Sequence, residues 1–409
     1  MNCRSCGGET VRFLDLGHHP PSDAFLSNLD GPETYYPLTV HVCTKCDLVQ
    51  LGYTVPPDVL FTNKYPYLTG SNAGGVEHFH RLATDTVKRF KLKPFDMVVD
   101  VGSNDGTLLS GFQNEGVRVF GVEPCENVAA VAMRNGVPTV NTWFGKDMAV
   151  KNAILDAKVI TACNVFAHVP DINGFVDTVK TFLAEDGVFI IESPYLLDMI
   201  DNLAYDTIYH EHIYYWAYSP LQRLLGKHDL EVFDIEKKDV HGGTIRYYIG
   251  HRGAHDRVRY RVTSVFEQEK KVNIDYLIDF AEKVKQHKKD LNDLLKRIKQ
   301  KGKKIFGLSA PAKGNTLLNY CHINGDVLEY ITEINPLKVG KYTPGVHVPV
   351  IHENAAGGCS YALLLAWNWK DQIIGNMGEF IRGGGRFIIP IPEPKIEHIG
   401  SGVWAGYEL

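Results

Sequence analysis

Between residues 97 and 192, short runs of apolar, β-prone residues alternate with longer segments whose apolar positions follow a helical spacing. Residues 97–101 read as a strand, 107–114 as a helix, 118–122 as a strand and 127–135 as a helix. The series continues with a strand over 159–163, a helix over 172–183 and a strand over 187–192. Such alternation predicts βαβ units around a parallel sheet. Ahead of it, Val76, Phe79, Leu82, Ala83 and Val87 fall near a 3.6-residue period, which predicts a helix over 75–90. After Pro194 an aromatic-rich segment, 205–218, breaks the pattern. A Lys-rich helix over 272–301 then opens a second alternating region, with strand-like runs at 303–307, 326–332, 361–366 and 386–389. The apolar residues of that helix, among them Leu277, Phe280, Val284 and Leu291, form one stripe and leave the lysines on a solvated outer face.

Residues 1–60 follow neither period. They are rich in turn formers (Gly7, Gly8, Pro20, Pro21, Gly31, Pro32, Pro56, Pro57), with short β-like runs at 38–42 and 48–51. They also hold two C-x-x-C knuckles, Cys3/Cys6 and Cys43/Cys46. No apolar stretch follows Met1, so no signal peptide is expected, and no run approaches the ~18 apolar residues of a membrane span. The expected compartment is therefore the cytosol, where paired knuckles read as metal ligands rather than disulfides. Two knuckles complete a closed tetrahedral zinc site with a structural role, because no coordination position stays open. Cys125, Cys163, Cys321 and Cys359 are scattered singly and read as small hydrophobes.

With 409 residues the chain has room for several domains. The patterns divide it into a zinc-binding module at 1–64, a Rossmann-like domain at 65–239 and a second Rossmann-like α/β domain at 240–409. The fold class is α/β. A net charge of −5 argues against a dedicated nucleic-acid binder.

The strongest chemical signal is the sequence Asp100-Val-Gly102-Ser-Asn104-Asp105-Gly106, set between a buried strand and a helix. Gly102 lets backbone approach a ligand, and Gly106 lets the helix start close to the strand. Glu123 ends the next strand, where a carboxylate can accept both hydroxyls of a ribose. Two cofactors share this geometry. NAD enzymes usually place a glycine where this chain has Asn104, because the pyrophosphate needs room. S-adenosylmethionine has no pyrophosphate, tolerates the looser loop and suits an acidic residue such as Asp100 before the first glycine. The loop therefore favours S-adenosylmethionine and keeps an NAD-dependent oxidoreductase as the alternative. Asn164, just past the strand at 159–163, would border the same ligand.

A second constellation is Tyr209-His210-Glu211-His212, followed by Tyr214, Tyr215 and Trp216. Coming after the last strand of the first sheet, it belongs at the carboxyl edge, where ligands bind. It lacks the i, i+4 spacing of a helical metal site. If extended, it would put His210 and His212 on one face and Glu211 on the other. A histidine here is a natural general base. His168 belongs to another loop of that edge. In the second region, Ser309-Ala310-Pro311-Ala312-Lys313-Gly314-Asn315 follows a strand and opens a helix, and its amides with Lys313 would suit a diphosphate. The loop 342–347, with His347, is a second candidate for substrate contact.

Taken together and in order, the knuckles, the Asp100–Gly106 loop, Asn164-Val-Phe-Ala-His168-Val-Pro-Asp171, Tyr209-His-Glu-His212-Ile-Tyr-Tyr and Ala310-Pro-Ala-Lys313-Gly-Asn315-Thr resemble the sugar C-methyltransferases. These enzymes use S-adenosylmethionine to methylate C-3 of nucleotide-linked 4-keto-deoxysugars, as on a tetronitrose precursor. The resemblance implies a zinc module, a central methyltransferase domain and a C-terminal domain that helps hold a dTDP- or GDP-linked sugar. It implies His212 as base, with His168, Tyr209, Glu211 and Tyr65 in the catalytic set. Tyr67 is the alternative for the tyrosine that reaches the sugar. Asp100, Gly102, Asn104, Asp105, Glu123 and Asn164 would bind the donor, and Lys313, Asn315 and His347 the nucleotide sugar. No nucleic acid or membrane partner is expected, and the chain is expected to be a monomer.

Overall fold

The structure, a computed structural model, describes residues 1–63, 65–71, 73–148, 155–238 and 243–398. The N-terminal module carries β1 (Thr10–His19), β2 (Tyr36–Cys43) and β3 (Val49–Leu51). The central region carries β4 (Met97–Val101), β5 (Arg118–Val122), β6 (Thr139–Val140), β7 (Ala157–Cys163), β8 (Leu183–Pro194), β9 (Tyr214–Tyr215), β10 (Leu230–Lys238) and β11 (Thr244–His251). The C-terminal region carries β12 (Ile305–Leu308), β13 (Leu328–Glu333), β14 (Val350–His352), β15 (Tyr361–Leu364), β16 (Arg386–Ile389) and β17 (Lys395–Glu397).

Among the described residues these strands form three sheets. The central one has the order β6-β5-β4-β7-β8-β11-β10. Its strands run parallel except β11, which pairs antiparallel with both β8 and β10. The C-terminal sheet has the order β14-β13-β12-β15-β16-β17, parallel up to its last strand. Both are α/β sheets whose strand order reverses beside the first strand, and ligands collect at the carboxyl ends of such sheets.

The predicted border at 239/240 lies outside the described residues, between β10 and β11, and residue 64 of the first border is outside them too. Because β11 is hydrogen-bonded to β8, the chain of the central sheet runs on to His251. Buried Glu192 of β8 helps fix that strand: it accepts from Arg246 of β11 at 2.6 and 2.8 Å and meets His78 at 2.6 Å.

The helices form where the apolar stripe and the caps agree. Asp171 caps the helix Ile172–Phe182 by accepting from the Gly174 amide at 3.0 Å. That helix buries Ile172, Phe175, Val176, Val179 and Phe182 against the sheet, each contributing about 1.5–3 kcal/mol. Asn273 likewise caps the long helix Ile274–Gln300, whose buried residues include Leu277, Phe280, Val284 and Leu291. Its lysines lie mainly outside the buried stripe, as the periodicity predicts.

One strand of the N-terminal sheet does not belong to its own module. The order is β1-β2-β3-β9, and β9 is Tyr214–Tyr215, directly after the Tyr-His-Glu-His segment. Val49 pairs with Tyr215 and Gln50 with Tyr214, and the Leu51 amide donates to the Ile213 carbonyl at 2.8 Å. The zinc module thus grips the end of the segment that carries His212.

Candidate active site

The four knuckle cysteines converge although up to 43 residues separate them. Cys3 and Cys46 sulfurs are 3.6 Å apart, Cys6 and Cys43 3.5 Å, and all four lie within 4.8 Å of one another. Four sulfurs at ~2.3 Å from one ion in a tetrahedron would be roughly 3.8 Å apart, so the set fits zinc. Three of the four cysteines are buried.

At the carboxyl edge of the central sheet, β4 runs into the glycine loop. Gly102 has φ 65°, and a Cβ there would lie 2.5 Å from Val165 Cγ2. Gly106 has φ 82°, with Val137 Cγ2 2.8 Å from where a Cβ would stand. Both positions therefore need glycine for conformation and for space. Beneath the loop, buried Asp100 accepts from the Thr161 hydroxyl at 2.6 Å. Burial, helped by the charge of Glu123, pushes its pKa up to about 7 against that hydrogen bond. A cationic ligand beside it would restore its charge. Glu123 is buried, which raises its pKa, and each of its oxygens takes one backbone N–H: Asn104 at 2.9 Å and Cys125 at 2.8 Å. The Cys125 thiol is a third partner, and of the roughly four acceptor sites a carboxylate offers, capacity remains for a ribose hydroxyl. Asn164 opens the turn that follows β7, with φ 56°, and is half-buried. Gly102, Glu123 and Asn164 thus all stand at the carboxyl ends of neighbouring strands of the central sheet.

Asn104 and Asp105 do something else with their side chains. Asn104 Oδ1 accepts from the Thr69 amide, its Nδ2 donates to the Tyr67 carbonyl, and Asp105 Oδ2 accepts from the Gly70 amide. Only the backbone amide of Asn104 is bonded to Glu123.

The Tyr209–His212 segment is a turn, not the extended strand considered from sequence. Its backbone reverses direction: the His212 amide donates to the Tyr209 carbonyl at 2.9 Å. His210 and His212 therefore part company. His210 packs edge-on against Tyr36, with ring centroids 5.9 Å apart. His212 turns toward His168, at 5.0 Å between centroids, and Tyr209, at 4.1 Å. A carbonyl can only accept, so His212 Nδ1 carries the proton it gives to Thr207 O at 2.8 Å. The lone pair of Nε2 then accepts from the Tyr209 hydroxyl at 2.9 Å. Burial pulls the His212 pKa down to about 4 and that of His168 well below the usual range. Both rings are neutral at pH 7, and His168 Nε2 is buried with no hydrogen-bond partner among the described residues.

Glu211 faces the same space from the other side. Its Oε2 accepts from the Tyr65 hydroxyl at 3.2 Å. Burial, reinforced by the Asp23 carboxylate, pushes Glu211 up to about 8. Asp23 pairs with Lys338 at 3.2 Å, and Lys338 donates to Ala310 O at 2.9 Å. A cavity of about 90 Å³ lies among Pro21, Asp23, Leu60, Thr62, Pro66 and Glu211. Asp23 and Lys338 carry no sequence signal of their own, and only the packing of three regions brings them here. Tyr65 reaches this cluster, whereas Tyr67 is half exposed and offers the segment its carbonyl.

The C-terminal candidates divide. Asn315 is buried and donates to Ser22 O at 2.6 Å. His347 meets Glu33 at 3.0 Å, which ties its loop to the zinc module. Lys313 lies 3.6 Å from Asp206 Oδ2 and 4.0 Å from the centroid of the Trp367 ring. Trp367 in turn donates to Asp206 at 2.7 Å and lines a cleft of about 730 Å³ with Lys237, Trp369, Lys370, Ile391 and Lys395.

Comparison with known proteins follows the same division of the chain. Residues 3–61 match a family described as a putative zinc binding domain, 76–235 a methyltransferase domain, and 239–392 the C-methyltransferase C-terminal domain. The C-methyltransferase NovU of Streptomyces niveus is 36% identical over 406 residues, covering 96% of each chain. Among solved structures, an S-adenosylmethionine-dependent methyltransferase from Clostridium acetobutylicum is 12% identical, with a TM-score of 0.35 over 44% of this chain and 92% of that one. Magnesium protoporphyrin IX methyltransferase from Synechocystis is 11% identical, with a TM-score of 0.34 over 44% of this chain and 80% of that one. Among the described residues no helix is long and apolar enough to cross a membrane. With matches that run from the cysteine knuckles to the second α/β domain, and a relative aligned over nearly its whole length, the chain belongs to the S-adenosylmethionine-dependent C-methyltransferases of the NovU type, with an N-terminal zinc-binding domain.

Proposed function

We propose that this C-methyltransferase acts on C-3 of a nucleotide-linked 4-keto-deoxysugar, with His212 as the base. The observation that carries the reading is the neutral His212 ring, its Nδ1 proton fixed on Thr207 O and its Nε2 lone pair aimed into a buried cluster with His168 and Tyr209. A ketone acidifies the hydrogen on the adjacent carbon. As the Tyr209 hydroxyl turns from Nε2 to the ketone oxygen, His212 Nε2 takes that proton, and the electron pair moves through the carbon–carbon bond onto the ketone oxygen, leaving an enolate. S-adenosylmethionine, when bound, supplies an electrophilic methyl group. Imidazolium formation in a buried site is costly, and the enolate charge close by offsets that cost. His168 Nε2 and the Tyr209 hydroxyl are the groups suited to donate to the enolate oxygen. Asp100, Gly102, Glu123 and Asn164 hold the donor.

The nucleotide end fits the larger cleft. Lysines at 237, 370 and 395 suit a diphosphate, and Trp369 offers a ring face for a base. Its wall reaches the catalytic turn, since Trp367 is bonded to Asp206 and the next residue supplies the carbonyl that orients His212. Incubation with dTDP- and GDP-linked 4-keto-deoxysugars and labelled donor tests the reading. Label at C-3 is expected, and transfer to a hydroxyl oxygen or to no sugar nucleotide would overturn it.

Two further results are expected. Glu123→Ala should weaken donor binding, measured by calorimetry, by about 2–3 kcal/mol, roughly 30- to 150-fold. Unchanged affinity would remove Glu123 from the donor site. In the pH profile of kcat with donor and sugar nucleotide both saturating, where the bound sulfonium keeps Asp100 charged, no inflection is expected near 6.5, because His212 gains its proton only as pH falls through about 4. Glu211 holds its proton below about 8, so an alkaline limb is expected there, and Glu211→Gln should abolish it. An acid limb centred at 6.5 would show that His212 is not the base in this buried state.

A further inference from the structure

Residues 65–71 cross from the acceptor cluster to the glycine loop as a strap, and side chains from other segments hold it. Asn127 Nδ2 donates to Tyr65 O at 2.9 Å. Asn335 Nδ2 donates to Pro66 O at 2.8 Å. Asn104 brackets the next residues, donating to Tyr67 O at 3.1 Å and accepting from the Thr69 amide at 3.0 Å. Asp105 Oδ2 accepts from the Gly70 amide at 2.7 Å, while its Oδ1 takes the Thr107 amide and hydroxyl. The fit at residue 70 is close: a Cβ there would lie 2.9 Å from Asp105 Oδ2 and 3.1 Å from Thr107 Oγ1. At its other end the strap presents the Tyr65 hydroxyl to Glu211.

We propose that Asp105 is a positioning residue for the acceptor side of the site, not a donor ligand. By holding the Gly70 amide it fixes the register of the strap, so that the Tyr65 hydroxyl meets Glu211. The inference rests on the reading of Tyr65 and Glu211 as part of the acceptor site. The device follows from the chemistry of an irregular segment. Such a strap has no ladder of its own, so its order depends on each outside partner. Asn104 links the strap to Glu123 as well, because its backbone amide sits on that carboxylate.

Asp105→Asn keeps an oxygen for Thr107 and replaces the acceptor facing Gly70 with a donor. Gly70→Ala attacks the same contact from the strap side. Amide exchange of the protein without ligands gives the first readout: the Gly70 amide should exchange at least roughly tenfold faster in Asp105→Asn. In turnover with a 4-keto sugar nucleotide, both variants should lower kcat roughly tenfold through misplacement of Tyr65. Donor affinity should stay within about twofold. In a Tyr65→Phe background, either substitution should change kcat by less than about twofold, because the group it positions is gone.

Native kcat in both variants would overturn the proposal, as would effects that add fully to Tyr65→Phe. A loss of donor affinity equal to the loss of kcat would make Asp105 a donor ligand instead. If the wild-type enzyme methylates no 4-keto sugar nucleotide, the acceptor reading fails. Unchanged Gly70 exchange in Asp105→Asn would then overturn the bracket by itself.

Discussion

Replacing His212 with asparagine or alanine should lower kcat by roughly 10²–10⁴, the range a general base supplies. The residues proposed to hold the donor stand at the ends of β4, β5 and β7 or just after them, and His212 belongs to none of these segments. S-adenosylmethionine affinity should therefore stay nearly unchanged, which separates loss of a base from loss of binding. The proton-removal step can be isolated. A 4-keto sugar nucleotide in deuterated water, without donor, should exchange its C-3 hydrogen in the native enzyme and in Glu123→Ala. Exchange should vanish in the His212 variants. Exchange at the native rate would place the base elsewhere, and His168, whose ring stands 5.0 Å from that of His212, would be tested next.

The second large effect concerns zinc. Metal analysis should find one zinc per chain, held by Cys3, Cys6, Cys43 and Cys46. A structural zinc contributes on the order of 10 kcal/mol to a small module that cannot build its own core. Cys43→Ser should lower the thermal midpoint of the module by about 10 °C or more. The damage should spread along one path, because β3 holds β9 and the Leu51 amide holds Ile213, next to His212. Turnover should thus fall with the folded fraction of the module while donor binding persists. A metal-free protein that is fully folded and active would overturn this.

The periodic parts of the chain were legible without coordinates. The helix Thr107–Asn114 and the strands Met97–Val101, Arg118–Val122 and Arg386–Ile389 have the expected bounds. A buried parallel strand and a stripe-bearing helix each write their environment into local sequence. β1 escaped because its register shifts twice against β2, between Arg12 and Leu14 and between Asp15 and His18. Each shift breaks the two-residue alternation by which a strand is recognised. β10 and β11 escaped because their apolar runs follow the end of the regular alternation and return antiparallel.

For the site the boundary falls differently. The knuckle spacing alone predicts a closed four-cysteine set, since each C-x-x-C turn already aims two sulfurs at one point. The glycine loop, with Glu123 one strand later, likewise contains its own geometry, because strand, loop and helix are contiguous. The Tyr209–His212 turn is different. Sequence supplied His210, Glu211 and His212 as adjacent candidates but not their directions. The turn sends His210 against Tyr36, His212 toward His168 and Glu211 toward Tyr65. The partners that set their ionisation, Asp23 and Thr207 among them, come from separate segments. The side chains of Asn104 and Asp105, which the motif assigns to the donor, are bonded to residues 67–70. Local chemistry is written in spacing, so the sequence by itself determined the four-cysteine set, the glycine loop with Glu123 one strand later, and the α/β character of both large regions. Direction, burial and partnership depend on contacts between residues far apart in the chain, and only the tertiary structure decided those.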